Sequence, residues 1–167
     1  MLLRPTQRAD FPALLALNTE SESVLSPLDA PRLAALHEEA ALHIVLTDPA
    51  DEQVLAFLLA FREGARYDSP NFLWFQARYP RFLYIDRVVV AQAQQGQGLG
   101  RQLYAAAFAQ AQASDAERLC CEFDIEPPNS ASQAFHARLG FVEVGQQRVA
   151  QGKKRVSLQV AELAPAR

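Results

Sequence analysis

Residues 85–113, which read IDRVVVAQAQQGQGLGRQLYAAAFAQAQA, decide the fold. The stretch opens with a β-branched run that ends at Val90 and closes with an alanine-rich segment, a pattern that predicts a strand followed by a helix. Three glycines, Gly96, Gly98 and Gly100, stand at alternate positions between the two. The stretch therefore predicts a strand, a tight glycine loop and the N-terminus of a helix.

A junction of this kind attracts phosphate, because the first turn of a helix leaves backbone N–H groups unpaired and carries the positive end of the helix dipole. Glycine has no Cβ to hold a bulky anion away, and it adopts the positive φ that turns N–H groups inward. A plain flexible turn is the alternative. Three of the seven glycines in the chain lie at this one joint, which favours a phosphate-binding loop.

The spacing of the glycines excludes two common nucleotide-binding motifs. The residue three positions after Gly98 is Arg101, so the dinucleotide fingerprint G-x-G-x-x-G is incomplete. The Gly-Lys-Ser/Thr ending of a P-loop is absent as well. A nucleotide-binding oxidoreductase is therefore a weak alternative.

The loop Gln95-Gly96-Gln97-Gly98-Leu99-Gly100 resembles the Q/R-x-x-G-x-G/A motif of the GCN5-related N-acetyltransferase (GNAT) family. In that family the loop holds the pyrophosphate of acetyl-coenzyme A, and the preceding strand bonds the pantetheine arm through its backbone. The resemblance implies that acetyl-CoA is the cofactor. The residues that it assigns to the cofactor in this stretch are Val88, Val89, Val90, Gln95, Gly96, Gln97, Gly98, Gly100 and Arg101.

Residues 129–141, which read NSASQAFHARLGF, are similar to the second signature of the same family, N-x-x-A-x-x-F/L-Y-x-x-x-G-F. The resemblance adds Asn129 and Ser132 to the cofactor-binding residues. Asn129 is also a good N-cap for a helix, and the two roles are compatible. Specific motifs thus cover the second half of the chain, whereas only the order of elements supports the resemblance in the first half.

The chain read in order predicts seven strands and four helices. The expected strands cover residues 2–6, 43–47, 53–62, the run ending at 90, 119–125, 141–147 and 155–160, and the expected helices cover about 10–18, 31–39, 99–114 and 129–139. Strand, helix and strand in succession make strands four and five parallel. With the resemblance, this implies an α/β (α+β) fold in one domain, 1–167. Its central sheet is mixed, largely antiparallel and seven-stranded, with about four flanking helices and with strands four and five parallel and splayed.

Residues 64–82, which read GARYDSPNFLWFQARYPRF, are unusually aromatic and show no periodicity over their full length. Their rings either cap the core or form one wall of an acceptor pocket, since long aromatic connections often do both.

Asp86 is the candidate general base. By the period of two along a strand it shares a face with Tyr84, Val88 and Val90, and it could accept the proton of an acceptor amine directly or through water. An ion pair with Arg87 or Arg81 is the structural alternative, and Glu122 on strand five is a second candidate base.

His136 stands where the family commonly carries a tyrosine that protonates the leaving thiolate. With a reference pKa of about 6.5, most of an imidazole is neutral at pH 7, although a neutral N–H could still stabilise a thiolate by hydrogen bonding. A histidine that is satisfied by a backbone carbonyl on a partly exposed helix face is the alternative.

The composition excludes several classes of function. The 167 residues are half apolar and carry a formal net charge of −3, which indicates a globular domain without the electrostatic footprint of a nucleic-acid-binding protein. Cys120 and Cys121 are adjacent, so on a strand they point to opposite faces, and no metal site is expected. The N-terminus lacks a signal peptide and no apolar stretch has membrane-spanning length, which predicts a cytoplasmic protein without a membrane partner.

The predicted function is transfer of an acetyl group from acetyl-CoA to a primary amine of a small-molecule or peptide acceptor, by direct attack in a ternary complex. The alternative is a non-catalytic module that senses acyl-CoA or regulates a partner. Dimerisation is common in the family, so a homodimer is left open.

Overall fold

The computed structural model describes residues 1–165, which form seven strands and five α-helices. The strands are β1 (Leu2–Pro5), β2 (Leu42–Thr47), β3 (Val54–Arg62), β4 (Phe82–Val90), β5 (Arg118–Glu126), β6 (Val142–Val149) and β7 (Lys154–Glu162). The helices are α1 (Phe11–Glu20), α2 (Ala30–Glu39), α3 (Pro70–Gln76), α4 (Leu99–Ala113) and α5 (Ser130–Arg138). No helix within residues 1–165 is long and apolar enough to cross a membrane.

The strands form one sheet in the order β1-β2-β3-β4-β5-β7-β6. β4 and β5 pair in parallel, with Phe82 opposite Arg118 and Tyr84 opposite Cys120, and α4 connects them along the chain. The pairs β1–β2, β2–β3, β5–β7 and β6–β7 are antiparallel. The predicted mixed, largely antiparallel sheet of seven strands, with strands four and five parallel, is confirmed.

Helix α3 is a fifth α-helix, which agrees with the predicted fold of about four helices and lies in the aromatic stretch to which no helix was assigned. The helix begins with common N-terminal features. The Ser69 side chain accepts a hydrogen bond from the Phe72 N–H, and Pro70 occupies the first turn. Its seven residues make only two turns, which is too short for a helical period to stand out among so many aromatic residues.

The chain divides into two compact units. Unit 1 contains residues 1–61 and 85–110. Its β3 segment is buried at every position from Val54 to Phe61, as expected of an apolar run without alternation, which must be covered on both faces. One core cluster contains Leu14, Leu17, Leu33, Val45, Val54, Phe57 and Val89. Helices α1 and α2 thus bury their apolar faces on the strands of this unit.

Unit 2 contains residues 62–84 and the described chain from 111 onward. Its core is aromatic, because Phe72 and Phe75 of α3 pack against Phe82 and Tyr84 of β4, with ring centroids 5.6 to 6.5 Å apart. The aromatic stretch therefore fills a core, and its role as a pocket wall stays a prediction, as does the single domain 1–167.

Trp74 of α3 packs directly on the backbone of β6 in unit 2. A Cβ added to Gly145 would lie 2.6 Å from Trp74 Cζ2, well inside van der Waals contact. The indole ring is held from its other sides by Phe75, with centroids 5.2 Å apart, and by the Arg78 guanidinium at 3.9 Å. Glycine is therefore needed at position 145 for a close approach of ring and strand.

We expect Gly145→Ala to destabilise the protein by about 1–3 kcal/mol, because the methyl group must displace a rigid ring. Urea denaturation measures the change, and the emission of Trp74, the only tryptophan, should shift to the red as the ring moves. The control is the same substitution in a Trp74→Phe background. Because the indole ring is absent there, Gly145→Ala should cost much less stability than it does in the wild type. Equal losses in both backgrounds would show that the ring is not the obstacle.

His43 of β2 is a buried titratable group in unit 1. Its Nδ1 lies 2.8 Å from Nδ1 of His37, and its ring meets the ring of Phe57 with centroids 6.4 Å apart. The residue is only 8% exposed. Its Nε2 has no hydrogen-bond partner among the described residues. Burial, reinforced by His37, lowers the pKa of His43 to about 4.

This lowered pKa predicts an acid-sensitive stability. Because the unfolded histidine titrates near 6.5, its stabilising contribution is full above that pH and is lost as the pH falls towards the folded value. We expect the free energy of unfolding to fall by roughly 2 kcal/mol between pH 7 and pH 5. Urea titrations of the wild type and of His43→Phe, which keeps an apolar ring, measure this. A variant as acid-sensitive as the wild type would contradict the assignment to His43.

Candidate functional site

The glycine loop of unit 1 joins the end of β4 to the start of α4. Gly96 and Gly98 have φ of +81° and +82°, in the left-handed region that favours glycine. A Cβ added to either residue would have no atom within 4 Å. The two glycines are thus demanded by backbone conformation, and the space in front of them is open to a ligand.

Helix α4 holds this loop in place. Leu99 and Leu103 are 2% and 0% exposed, so the first turn is anchored in the core while Gln95, Gly96, Gln97, Gly98 and Arg101 are exposed. The first turn contains no acidic residue. The exposed end of α4 therefore combines unpaired backbone N–H groups with the cationic side chain of Arg101, which suits an anion.

The last residues of β4 alternate as expected for a strand. Val88 and Val90 are half-buried, and Asp86 on the same face has only 7% of its side chain exposed, while Arg87 and Val89 are buried on the opposite face. Gln95 Nε2 donates to the Val90 carbonyl at 3.4 Å, which ties the loop back to the end of the strand. Unit 1 thus brings together Asp86, the valines and the glycine loop.

Asp86 forms an ion pair with Arg87. This pair is the structural alternative to a role of Asp86 as general base. Its Oδ2 accepts a hydrogen bond from Nε of Arg87 at 3.2 Å, and both side chains are buried, at 7% and 5% exposure. Arg81 has other partners, because it pairs with Glu117 and with Asp115. The carboxylate is therefore held by its neighbour in the sequence.

Glu122, the second candidate base, is held by a phenol in unit 2. The Tyr84 hydroxyl donates to both of its carboxylate oxygens, at 2.9 and 2.8 Å. Tyr84 is completely buried between Phe72 and Phe75. The sequence analysis missed this pair, although the parallel register of β4 and β5, which places Tyr84 beside Cys120, brings position 122 within reach.

Helix α5 of unit 2 brings together Asn129, Ser132 and His136. The Asn129 side chain caps the helix by accepting a hydrogen bond from the Ser132 N–H at 3.2 Å, which agrees with its predicted capping role. His136 Nδ1 lies 2.7 Å from the Ser132 carbonyl and 3.2 Å from its hydroxyl. Contact of Asn129 and Ser132 with the cofactor stays a prediction.

The surroundings of His136 favour a structural role in which a backbone carbonyl satisfies the ring, although the residue is buried and does not lie on a partly exposed helix face as predicted. The ring is only 6% exposed, stacks on Phe123 and meets Phe141 edge-on. Burial lowers its pKa, although the bond to Ser132 acts in the opposite direction. A carbonyl can only accept, so Nδ1 carries the proton and Nε2 of the neutral ring is an acceptor. Stabilisation of a thiolate from Nε2 would therefore need the disfavoured imidazolium, and the catalytic role of His136 stays a prediction.

A cavity of about 610 Å³ in unit 2 contains none of the predicted site residues. Its charged walls include Arg81, Glu117, Arg118 and Glu162, which are paired with one another. Across residues 1–165, no three His, Cys, Asp or Glu side chains form a group that could hold a metal ion.

A parallel β-α-β connection with an open glycine loop at the helix N-terminus is typical of proteins that bind a phosphate-containing ligand. The model of the Acetyltransferase (GNAT) family matches residues 10–141, and the chain belongs to this family. Acetyl-CoA is accordingly its cofactor. The geometry of the loop also fits acetyl-CoA, since Gly96 and Gly98 leave open the space that side chains would fill.

Solved structures have the same fold at low sequence identity. The ribosomal-protein-S18-alanine N-acetyltransferase from Escherichia coli has a TM-score of 0.73 at 18% identity, over 99% of this chain and 95% of that one. Ard1 from Thermoplasma volcanium has a TM-score of 0.79 at 14% identity, over 98% of each chain. The structure of yncA from Salmonella typhimurium with its cofactor acetyl-CoA has a TM-score of 0.75 at 19% identity, over 100% of this chain and 96% of that one. A comparison with curated protein sequences found no match.

We expect Gly98→Val to weaken acetyl-CoA binding by at least about 100-fold, because a branched side chain would occupy the open space and disfavour the positive φ. Calorimetric titration measures the affinity. Gly152→Val is a matched control, because Gly152 has φ +83° and equally open surroundings but lies in the turn between β6 and β7. Both variants should lose similar stability, and unchanged affinity in folded Gly98→Val would remove the loop from the cofactor site.

Proposed function

We propose that this protein is an N-acetyltransferase that transfers an acetyl group from acetyl-CoA to a primary amine of a small-molecule or peptide acceptor, by direct attack in a ternary complex. The observation that carries the proposal is the open, positive-φ glycine loop at the start of α4, in a chain of the GNAT family. When bound, acetyl-CoA supplies an activated acyl group in the form of a thioester.

Different residues of unit 1 would bind different parts of the cofactor. Backbone N–H groups of Gly96, Gly98 and the first turn of α4 would hold the pyrophosphate, with Arg101 adding positive charge. Backbone groups at residues 88–90 would hydrogen-bond the pantetheine arm. An N–H near Val89 or Val90 would also meet the acetyl oxygen, where negative charge develops.

Asp86 is our candidate for the group that takes the proton from the acceptor amine. How strong a base is needed depends on the acceptor amine. Deprotonating an amine of pKa about 10.4 at pH 7 costs roughly 4.6 kcal/mol, whereas an α-amine of pKa near 7.9 costs about 1.2 kcal/mol. A carboxylate is a weak base at neutral pH, so the arrangement suits the α-amine better. One of the neighbours is named as an N-acetyltransferase of an alanine in a ribosomal protein, which makes a peptide α-amine the first acceptor to test.

We expect Asp86→Asn to slow turnover more at low pH than at high pH, because the acceptor amine loses its own proton at high pH and needs the base less. The pH dependence of kcat/KM measures this. Glu122→Gln is the matched variant, since the amide can still accept from the Tyr84 hydroxyl, and it should keep the wild-type profile. A normal profile for Asp86→Asn with an altered one for Glu122→Gln would assign the base to Glu122.

Calorimetric titration with acetyl-CoA, with NAD and ATP as controls, tests the cofactor. Selective micromolar binding corresponds to about −8 kcal/mol. Release of free thiol with trialanine, Nα-acetyl-lysine amide and butylamine then tests the transfer. Binding of NAD without binding of acetyl-CoA would refute the proposal.

A non-catalytic acyl-CoA sensor is the second candidate. The observation in its favour is His136, whose Nδ1 is committed to the Ser132 carbonyl at the position where the family commonly carries a proton-donating tyrosine. Tight binding of acetyl-CoA without thiol release for any amine would support the sensor.

A further inference from the structure

Arg87 is a buried guanidinium in unit 1 whose donors reach three separate parts of the chain. Its Nε donates to Asp86 Oδ2 at 3.2 Å. Its Nη1 donates to Asn18 Oδ1 and to the Ser26 carbonyl, both at 2.8 Å, and its Nη2 donates to the Ser26 hydroxyl at 2.9 Å. Four N–H bonds compensate a charge that would otherwise be costly to bury.

Asn18 completes the same network from the end of α1. It is 0% exposed, and its Nδ2 donates to the Ser26 carbonyl at 3.2 Å. The Ser26 carbonyl therefore accepts hydrogen bonds from two buried side chains. These two bonds tie a loop residue to buried side chains of the unit.

Ser26 belongs to the connection 21–29 between α1 and α2, most of which is exposed. Its apolar anchors are few, because only Leu25 and Leu28 pack against the core cluster, and both are partly exposed. A segment with so little buried apolar surface depends on its polar contacts for a defined position. Arg87 supplies two of those contacts, both to Ser26. A third bond from Arg87 holds Asn18, which itself donates to the Ser26 carbonyl.

We propose that Arg87 is a positioning residue that fixes the connection 21–29 beside Asp86 as one side of the acceptor-binding surface. One guanidinium touches both, so the connection and the carboxylate lie a single side chain apart. The inference rests on the proposed function, in which the acceptor amine gives its proton to Asp86. It assigns to Arg87 an effect on acceptor binding that acts through the connection and leaves cofactor binding untouched.

Arg87→Lys tests the proposal, because lysine keeps the charge but carries its donors on one nitrogen and cannot span Asp86, Asn18 and Ser26 together. We expect KM for the amine probe to rise about tenfold while the affinity for acetyl-CoA changes less than about twofold. The probe is whichever of trialanine, Nα-acetyl-lysine amide and butylamine is acetylated fastest. Amide hydrogen exchange in residues 21–29 should become faster in the same variant.

Ser26→Ala is a milder second variant, because it removes only the hydroxyl and leaves the carbonyl contacts, and it should give the same changes at smaller size. Arg8→Lys is the matched control, since Arg8 is an exposed arginine of the same unit that pairs with Glu38. It should alter neither KM nor exchange.

Two results would overturn the inference: unchanged exchange in residues 21–29, or a fall in kcat with KM for the amine unaltered. The second result would mean that Arg87 acts on Asp86 alone. Failure of the wild type to acetylate any probe would instead refute the proposed function. In that case faster exchange in Arg87→Lys and Ser26→Ala would still show that Arg87 fixes the connection, whereas an acceptor role would be lost.

Discussion

The tight passage from β4 to α4 is the constraint on which the rest of the structure depends. After a 3-10 turn at Gln92–Gln94, two glycines with positive φ lead the chain from β4 into α4. The Gln95 side chain donates to the Val90 carbonyl, which holds the loop and the unpaired N–H groups at the start of α4 close to the end of β4. The same connection makes β5 parallel to β4. One short loop thereby determines the central pairing of the sheet and the place where an anion can bind.

Each of the three candidate proton-transfer groups in this protein is held by a specific partner. Asp86 is held by the adjacent Arg87, His136 by the carbonyl one helical turn earlier, and Glu122 by a phenol on the neighbouring strand. Each arrangement limits the freedom of a group that could take part in proton transfer. The chemistry of the candidate residues is therefore governed by these contacts as much as by their reference acidities.

Much of the fold was predictable because its signals are local. Alternation, apolar runs and glycine or proline punctuation located the seven strands and four of the five helices to within a few residues, and the β-α-β order predicted the parallel pair. Helix α3 was not predicted because seven residues are too few to show a clear helical period. The face shared by Asp86, Val88 and Val90 followed from the strand period, and the helix cap at Asn129 followed from the preference for asparagine at N-caps.

The contacts of the site residues were less predictable, since they depend on residues far apart in sequence. The three-way network of Arg87 joins positions 18, 26 and 86, and no local pattern connects them. A signal was nevertheless present, because an arginine on the inward face of an apolar strand must find acceptors in the interior. The tautomer of His136 likewise required its distance from the Ser132 carbonyl.

The burial of both thiols has a practical consequence for assays of this protein. Cys120 and Cys121 of β5 are 0% and 2% exposed, and burial raises the pKa of the Cys120 thiol. Disulfide-exchange dyes react with thiolates that they can reach, so the native protein should contribute almost no colour of its own. Coenzyme A set free during turnover can therefore be followed continuously with such a dye, and a cysteine introduced on the surface would be labelled selectively.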